Sequence, residues 1–466
     1  MAYHFQQAGD PRAVAWLIRA GERAQRAYAW LTAVERFAAA AALLDGVPGG
    51  ERARGRLLFR RGRLLRYSQP SRGIIDLAEA ERLGDIAGDP VLAAEARVSR
   101  GFTRCYADDF RLGLIEMAAG VAALESLPMA EFLPQDATTA WLADALPART
   151  PGGAPTVDPA AAHLTAIGVS HRRGTLPWFL AASGRLAEAI AIGEAFLNQV
   201  AAAPPAGDLV VAATGHAEQG MGIIHASLGR PDAARASFAR ARAAYDSLDH
   251  HAVIAFTLLC ELRDVMLPYG ATEVAERRRL ATAAEAALRR AGGAFAAGVS
   301  PRRAWLGVLF IEGNWSEVRD IAGDVTVHGN YYLRRVVTGT LGPMAREQGE
   351  PTLAWGLIHG LLPQGIATEP GGSVFHDAVL CQQLAANLEI DRGFLPGALV
   401  WLEANDRWLA RNGSVLGRAD NRVVWARYHR AAGDRERTRA AAAEARAAAS
   451  QPVQPLALLA AHRLSG

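Results

Sequence analysis

The sequence predicts an all-α protein, an α-solenoid in which helix–turn–helix repeats of about 40 residues stack into a right-handed superhelix. Three observations predict this class. Half of the 466 residues are apolar, which supplies a core. Alanine, the best helix former, makes up about a fifth of the chain. One pattern also recurs: a small residue on a first helix, a glycine-containing turn, and a second helix with spaced small and bulky residues.

The first repeat opens at Asp10-Pro11, a helix N-cap followed by a residue that needs no N–H donor. Gly21 lies on its first helix, and the second helix carries Ala33, Phe37 and Ala40. Small residues allow two antiparallel helices to approach closely, and the aromatic ring fills the remaining space. This spacing predicts a packed helical hairpin.

The stretch from Gly222 to Ala241 shows the pattern most clearly. Gly222 lies on the first helix, the turn begins at Gly229, and the second helix carries Ala234, Phe238 and Ala241. Other second helices are anchored at Gly73, Gly113, Ala189, Ala275, Val318, Ala354, Ala398 and Thr438. Most neighbouring anchors lie 36 to 45 residues apart, as an α-solenoid requires. The alternative is an irregular alanine-rich bundle.

Two segments interrupt this pattern. Residues 127–160 are rich in proline and predict a long connection with one short helix around Thr139–Ala145. They divide the chain into predicted repeats at 1–126 and at 161–466. Asp324–Val337 is rich in β-branched and aromatic residues, and either an extended piece or a loop followed by a helix fits it. The flanking repeats favour the loop and helix.

Composition excludes several kinds of chemistry. All 50 basic residues are arginine, so the chain has no lysine for a Walker A loop or a Schiff base. The histidines and the three dispersed cysteines form no metal-ligand motif, and no nucleophile elbow occurs. We therefore expect no catalytic residues, no cofactor and no metal. The near balance of 50 basic and 47 acidic residues predicts no direct nucleic-acid binding.

The terminal sequences resemble a known family. Residues 2–46 (AYHFQQAGDPRAVAWLIRAGERAQRAYAWLTAVERFAAAAALLDG) and the closing RYHRAAGDRERTRAAAAEARAAAS resemble the tetratricopeptide-like repeats of large ATP-binding LuxR-type transcription regulators related to the maltose regulator. That family implies a helical-repeat sensor linked to an amino-terminal ATPase and often to a DNA-binding helix-turn-helix. Neither has a match in this sequence. We therefore expect the sensor region alone, as a fragment, a split gene product or a degenerate relative.

In arrays of this type the first helix of each hairpin lines a concave groove. The anchors project polar and aromatic candidates for ligand binding onto it: His171, Trp178, His216, Gln219, Arg303, Gln383, Asn387 and Asp420. Ordinary surface polarity is the alternative for each of them. The predicted occupant is a protein or peptide, or a small-molecule effector.

The expected function is non-catalytic binding, as the sensor of such a regulator or as a free-standing tetratricopeptide scaffold. The amino terminus has no signal-peptide pattern, and no stretch is apolar enough to span a membrane. The dispersed cysteines are typical of reduced thiols, so we expect a cytoplasmic protein. Apolar residues at the two ends, such as Tyr3, Phe5 and Leu456, predict self-association through unpaired terminal repeats.

Overall fold

In the part of the chain that the structure describes, the alanine-rich stretches that end at glycine turns form helices. The computed structural model describes residues 10, 13–26, 29–66, 68–107, 109–127, 174–202, 208–291, 300–328, 331–371 and 373–465. Over these residues the secondary structure is helical, without strands apart from a single bridge between Ser450 and Val453. The predicted all-α class with tetratricopeptide-like hairpins is confirmed.

The chain divides into two compact units. The first comprises Met1–Arg173, Pro204–Ala213 and Ala291–Ala297, and the second comprises Gly174–Ala203, Thr214–Arg290 and Gly298–Gly466. The predicted connection at 128–160, with its short helix, lies outside the described residues, so the boundaries 1–126, 127–160 and 161–466 stay a prediction.

The first unit contains three described hairpins. Their helices are α1 (Ala13–Arg26), α2 (Trp30–Ala42), α3 (Glu51–Leu65), α4 (Pro70–Ile86), α5 (Pro90–Ala107) and α6 (Phe110–Ser126). Each helix packs on the next in sequence, and the first helices α3 and α5 also touch. This is the nearest-neighbour packing expected of a repeat array.

The second unit continues the same arrangement. Its helices are α7 (174–182), α8 (Leu186–Ala202), α9 (Asp208–Ser227), α10 (Pro231–Asp246), α11 (His251–Glu261), α12 (Val274–Arg290), α13 (Leu306–Ile311), α14 (Trp315–His328), α15 (Tyr331–Glu347), α16 (Pro351–Leu361), α17 (Phe375–Asp391), α18 (Leu395–Asn412), α19 (Arg418–Ala431), α20 (Arg435–Ser450) and α21 (Pro455–Ser465). Short turns that contain a glycine join the two helices of most of these hairpins, as the sequence predicts: α7 to α8, α9 to α10, α13 to α14, α15 to α16, α17 to α18 and α19 to α20.

The predicted glycine–aromatic packing is confirmed in both units. A Cβ atom at Gly21 would lie 2.7 Å from Phe37 Cε1, and one at Gly222 would lie 2.8 Å from Phe238 Cδ1. Both rings are fully buried. Only a glycine lets the first helix approach the ring this closely, so these two pairs set the spacing of their hairpins.

The hairpin formed by α11 and α12 departs from the predicted register. Ala275, the predicted anchor, is exposed, whereas Arg277, Ala281 and Ala284 are buried. The first helix does not end regularly, because α11 continues into a π-helical turn at Leu262–Met266. In the α9–α10 hairpin the second helix begins at Pro231, two residues after Gly229, but α12 begins at Val274, four residues after Gly270. The buried face of α12 is therefore displaced by two positions from the prediction.

The segment Asp324–Val337 is more helical than expected. Helix α14 extends to His328, through the first part of the predicted loop, and α15 begins at Tyr331. The described residues of this segment contain no extended piece. The two flanking hairpins impose helical packing on β-branched residues, which outweighs their local preference.

Carboxylates at the helix starts link neighbouring hairpins. Asp89 caps α5 by accepting a hydrogen bond from Leu92 N at 2.9 Å. The same carboxylate accepts a second hydrogen bond, at 2.8 Å, from Nη2 of Arg56 on α3. Asp109 likewise caps α6 through Leu112 N at 3.3 Å. The bidentate pair with Arg56 adds a charged bond between consecutive first helices.

Candidate functional site

Three of the predicted groove residues are buried in the second unit. Trp178 is 7% exposed and packs on Phe256, with ring centres 5.8 Å apart. Gln219 is 2% exposed and Arg303 is 8% exposed. These side chains present almost no surface to a ligand in this conformation, although the sequence projected them onto an open face. Their role in binding stays a prediction, and His171 lies outside the described residues.

Three further candidates are half-buried and take part in packing. His216 meets the ring of Tyr245 edge-on, with centres 5.5 Å apart. The Gln383 amide donates to the carbonyl oxygen of Gly417 at 2.9 Å, and Asn387 Nδ2 donates to the carbonyl oxygen of Gln383. Gln383 therefore fastens α17 to the loop before α19.

Asp420, at the start of α19, is exposed, but it lies in crowded surroundings. Protein around its carboxyl group raises its pKa by desolvation. Its charge also acts on Tyr269, whose pKa is raised mainly by burial and further by Asp264 and Asp420. Asp420 is thus solvent-exposed and close enough to Tyr269, from a distant hairpin, to act on the pKa of that phenol.

Residues far apart in sequence meet at the end of α9. The carbonyl oxygen of Ser227 accepts hydrogen bonds from Val415 N at 2.7 Å and from Ser414 Oγ at 3.2 Å, across 187 residues in the second case. Beside it, Tyr269 Oη donates to the carbonyl oxygen of Ala226 at 2.7 Å. We call Ala226, Ser227, Tyr269, Ser414 and Val415 the Ser227 seam. The seam joins the α9–α10 turn to the loop between α18 and α19.

A serine–histidine pair at this seam has a structural geometry. Ser227 Oγ donates to the carbonyl oxygen of Ile223 at 2.8 Å, so it accepts from His376 Nε2 at 2.9 Å. A histidine that donates to a hydroxyl does not remove its proton, and Ser227 is only 1% exposed. Desolvation lowers the pKa of His376, and Arg263 acts in the same direction. The pair therefore fastens α9 to α17.

The first unit carries an aromatic and cationic surface that the sequence analysis missed. Arg66 on α3 lies over the ring of Phe102 on α5 at 5.0 Å, and Phe102 stacks on Tyr106 at 5.1 Å. Arg63 lies over Phe59 at 5.5 Å. We call Phe59, Arg63, Arg66, Phe102 and Tyr106 the arginine–aromatic patch.

The patch lies where the consecutive first helices α3 and α5 approach each other, beside their contacts with the second helices. Gly62 and Gly101 make the closest contacts with α4 and α6, since a Cβ atom at either would collide with those helices. Arg63 and Phe102 follow these glycines directly and therefore point about 100° away. Arg63, Arg66 and Phe102 are half-buried. The residue after the close-contact glycine is the sequence signal that could have identified this surface.

The described residues contain no group of three or more His, Cys, Asp or Glu side chains placed to hold a metal ion. Cys105, Cys260 and Cys381 are buried and form no disulfide, and burial raises the pKa of Cys381. Over the same part of the chain, no helix has the length and apolar character needed to cross a membrane.

Comparisons with known proteins give the following matches. No family model and no curated protein matches the chain. Among solved structures, yeast Tom70 is 10% identical (97% of this chain, 96% of that chain, TM-score 0.37). Cut9–Hcn1 of the APC/C is 11% identical (97% and 96%, TM-score 0.37), and the P58(IPK) TPR domain is 11% identical (97% and 98%, TM-score 0.25). Since these scores are low, the fold assignment rests on the helices themselves.

Proposed function

We propose that this chain is a non-catalytic helical-repeat module that binds a segment of another protein on the face formed by its first helices. The observation that carries the proposal is the arginine–aromatic patch. Arginine and aromatic side chains dominate the binding energy of protein interfaces. Here two consecutive first helices present them together, with half-buried guanidinium groups held over rings.

The chemistry of the patch favours an acidic segment. Arg63 and Arg66 each carry five N–H donors in a planar fork that matches a carboxylate. A ring beneath each guanidinium limits its motion, so less side-chain entropy is lost on binding. The candidates of the second unit that keep some exposure, His216, Gln383, Asn387 and Asp420, are proposed separately as ligand-binding residues of that unit.

A narrower role rests on the sequence resemblance alone. As the sensor of an ATP-dependent LuxR-type regulator, the module would bind its ligand preferentially in one conformation and so shift a coupled ATPase between states. As a free-standing scaffold, it would hold proteins together through the same face. The patch fits both roles equally. A neighbouring reading frame that encodes a Walker A ATPase or a helix-turn-helix would favour the regulator.

Peptide selection tests the binding role. We expect short random peptides displayed on phage, selected on the full chain, to be enriched in Asp and Glu. The double variant Arg63→Gln with Arg66→Gln should bind the selected peptides at least about tenfold more weakly, because two charge-assisted contacts are lost.

The control removes two arginines from the second helices. Arg72 on α4 and Arg111 on α6 are exposed, and the variant Arg72→Gln with Arg111→Gln has the same net charge as the test variant. It should bind the selected peptides as the parent chain does. Equal weakening in the two variants would show a general charge effect and would contradict the proposal, as would selected peptides without acidic residues.

A further inference from the structure

A cavity of about 240 Å³, widely open to solvent, lies between α19 and α20 in the second unit. The aromatic side chains of Trp425 and His429 form one wall, one helical turn apart on α19. Their rings are stacked, with centres 5.6 Å apart and an interplanar angle of 24°. The volume is below the roughly 300–1,000 Å³ of sites for drug-sized ligands, so it suits a single small ring system.

Alanines on the facing helix leave this space open. Ala440 and Ala441 of α20 stand opposite the rings. Ala398 anchors the preceding second helix α18, and the residue three positions after it is Trp401, which packs on Trp355 with ring centres 6.2 Å apart. The same step from the anchor Thr438 gives Ala441. A methyl group therefore stands on α20 at the position where the preceding second helix carries an indole.

The aromatic wall is fixed before any ligand arrives. Trp425 Nε1 donates to Asp406 Oδ2 at 3.0 Å, and Tyr428 meets the indole edge-on at 5.6 Å. Asp406 also accepts from Arg422 Nη2 at 2.6 Å. A ring held in place in this way loses little entropy when another ring stacks on it.

Two arginines and one glutamate surround the rim. Arg422 donates a hydrogen bond to Asp406, and its guanidinium also lies 3.7 Å from the Glu444 carboxylate. The positive charge of Arg422 therefore partly neutralises Glu444. Arg437 is 73% exposed, and among the described residues its ion pair is with Asp434, at 3.5 Å. Arg437 acts on His429 more strongly than Asp434 does, and desolvation together with Arg437 lowers the pKa of that imidazole. The rim beside the rings is therefore positive on the Arg437 side.

We propose that this cavity binds an aromatic ring that carries a carboxylate, with the ring against Trp425 and His429 and the carboxylate on the Arg437 guanidinium. Two sources have this chemistry: a small aromatic acid, and a peptide that ends in an aromatic residue with a free carboxyl group. The site is separate from the arginine–aromatic patch, which lies in the other unit, and it does not depend on the function proposed above.

Titration of the full chain with indole-3-acetate, followed by calorimetry and ligand-observed NMR, tests the proposal. Indole-3-acetamide lacks the charge and acetate lacks the ring, so both should bind at least tenfold more weakly. Arg437→Gln should weaken indole-3-acetate about tenfold, and Ala441→Leu should abolish binding by filling the cavity. Glu444→Gln should strengthen binding, because a nearby like charge is removed.

Matched controls lie on the same helix. Arg439 and Ala443 are exposed residues of α20 outside the cavity, so Arg439→Gln and Ala443→Leu should bind indole-3-acetate like the parent chain. Equal affinity for the acid and the amide, or unchanged binding in both Arg437→Gln and Ala441→Leu, would overturn the proposal. Since Arg437 is exposed, its variant tests the site even if Ala441→Leu disturbs packing.

A peptide arm distinguishes the two sources. N-acetyl-Gly-Gly-Trp with a free carboxyl group is compared with the same peptide as its amide. Tighter binding of the peptide acid than of indole-3-acetate would indicate a protein carboxy terminus, and the reverse order would indicate a small molecule. Failure of both acids to bind at millimolar concentration would overturn the proposal.

Discussion

Substitution of Gly101 by alanine should loosen the hairpin formed by α5 and α6. The new Cβ atom would lie 2.5 Å from the carbonyl oxygen of Gly113 and 2.6 Å from Met117 N. Both are backbone atoms, so no side chain can rotate away, and we take the upper value for overpacking, about 3 kcal/mol. The gain in helix propensity from glycine to alanine offsets about 1 kcal/mol. The expected net loss is about 2 kcal/mol.

Gly356 gives the matched comparison. It lies inside α16, is exposed, and a Cβ atom there would meet nothing within 4 Å. Gly356→Ala should therefore stabilise its helix by about 1 kcal/mol through propensity alone. Replacing glycine by alanine is thus expected to destabilise the protein at Gly101 and to stabilise it at Gly356, because the space around the two glycines differs.

Hydrogen exchange followed by mass spectrometry measures both effects locally, without assuming that the whole chain unfolds in one step. Peptides from α5 and α6 should exchange about 30-fold faster in Gly101→Ala, and peptides from α16 about fivefold more slowly in Gly356→Ala. If Gly101→Ala left exchange in α5 and α6 unchanged or slower, the close-contact reasoning would be refuted.

Two further outcomes follow from the structure. The pKa of His376 is lowered in the folded chain, so the unfolded chain binds more protons below about pH 6.5 and the stability of the second unit should fall as pH decreases. His376→Gln, which can still donate to Ser227, should show a smaller loss of urea midpoint between pH 7.5 and 5.5; parallel curves would contradict this. Asp89→Ala removes a helix cap and the bidentate partner of Arg56, which keeps the more distant Glu95 at 3.7 Å, and should cost about 3 kcal/mol. Asp89→Asn keeps the cap and should cost less, and equal exchange rates in α5 of the two variants would exclude a role for the charge.

The packing within hairpins could be predicted from the sequence because it depends on neighbours along the chain. Gly21 with Phe37 and Gly222 with Phe238 meet because a fixed number of residues separates them on two helices joined by a short turn. The α11–α12 hairpin shows the limit of this reasoning. The turn between Gly270 and α12 is two residues longer than the turn between Gly229 and α10, and a register counted from the turn glycine does not include this difference.

The candidate site was predicted less well, because exposure depends on contacts between distant hairpins. The repeat spacing projected Trp178 and Gln219 onto the groove, but both side chains are buried within the second unit. Ser227 meets Ser414 across 187 residues, and a periodic pattern contains no information about such a contact. The arginine–aromatic patch was missed for the opposite reason: its signal is local, but the projection considered only residues from His171 onwards.

The Ser227 seam also bears on how the two units fold. In the first unit the described helices contact their neighbours in the array, so its hairpins can form or open one after another from an end. In the second unit, closing the seam requires α9, α18 and α19 to be in place together. The loop that must close is long, and its entropy is lost before the contact is gained. The second unit should therefore fold more slowly and melt as one cooperative block, while the first unit frays.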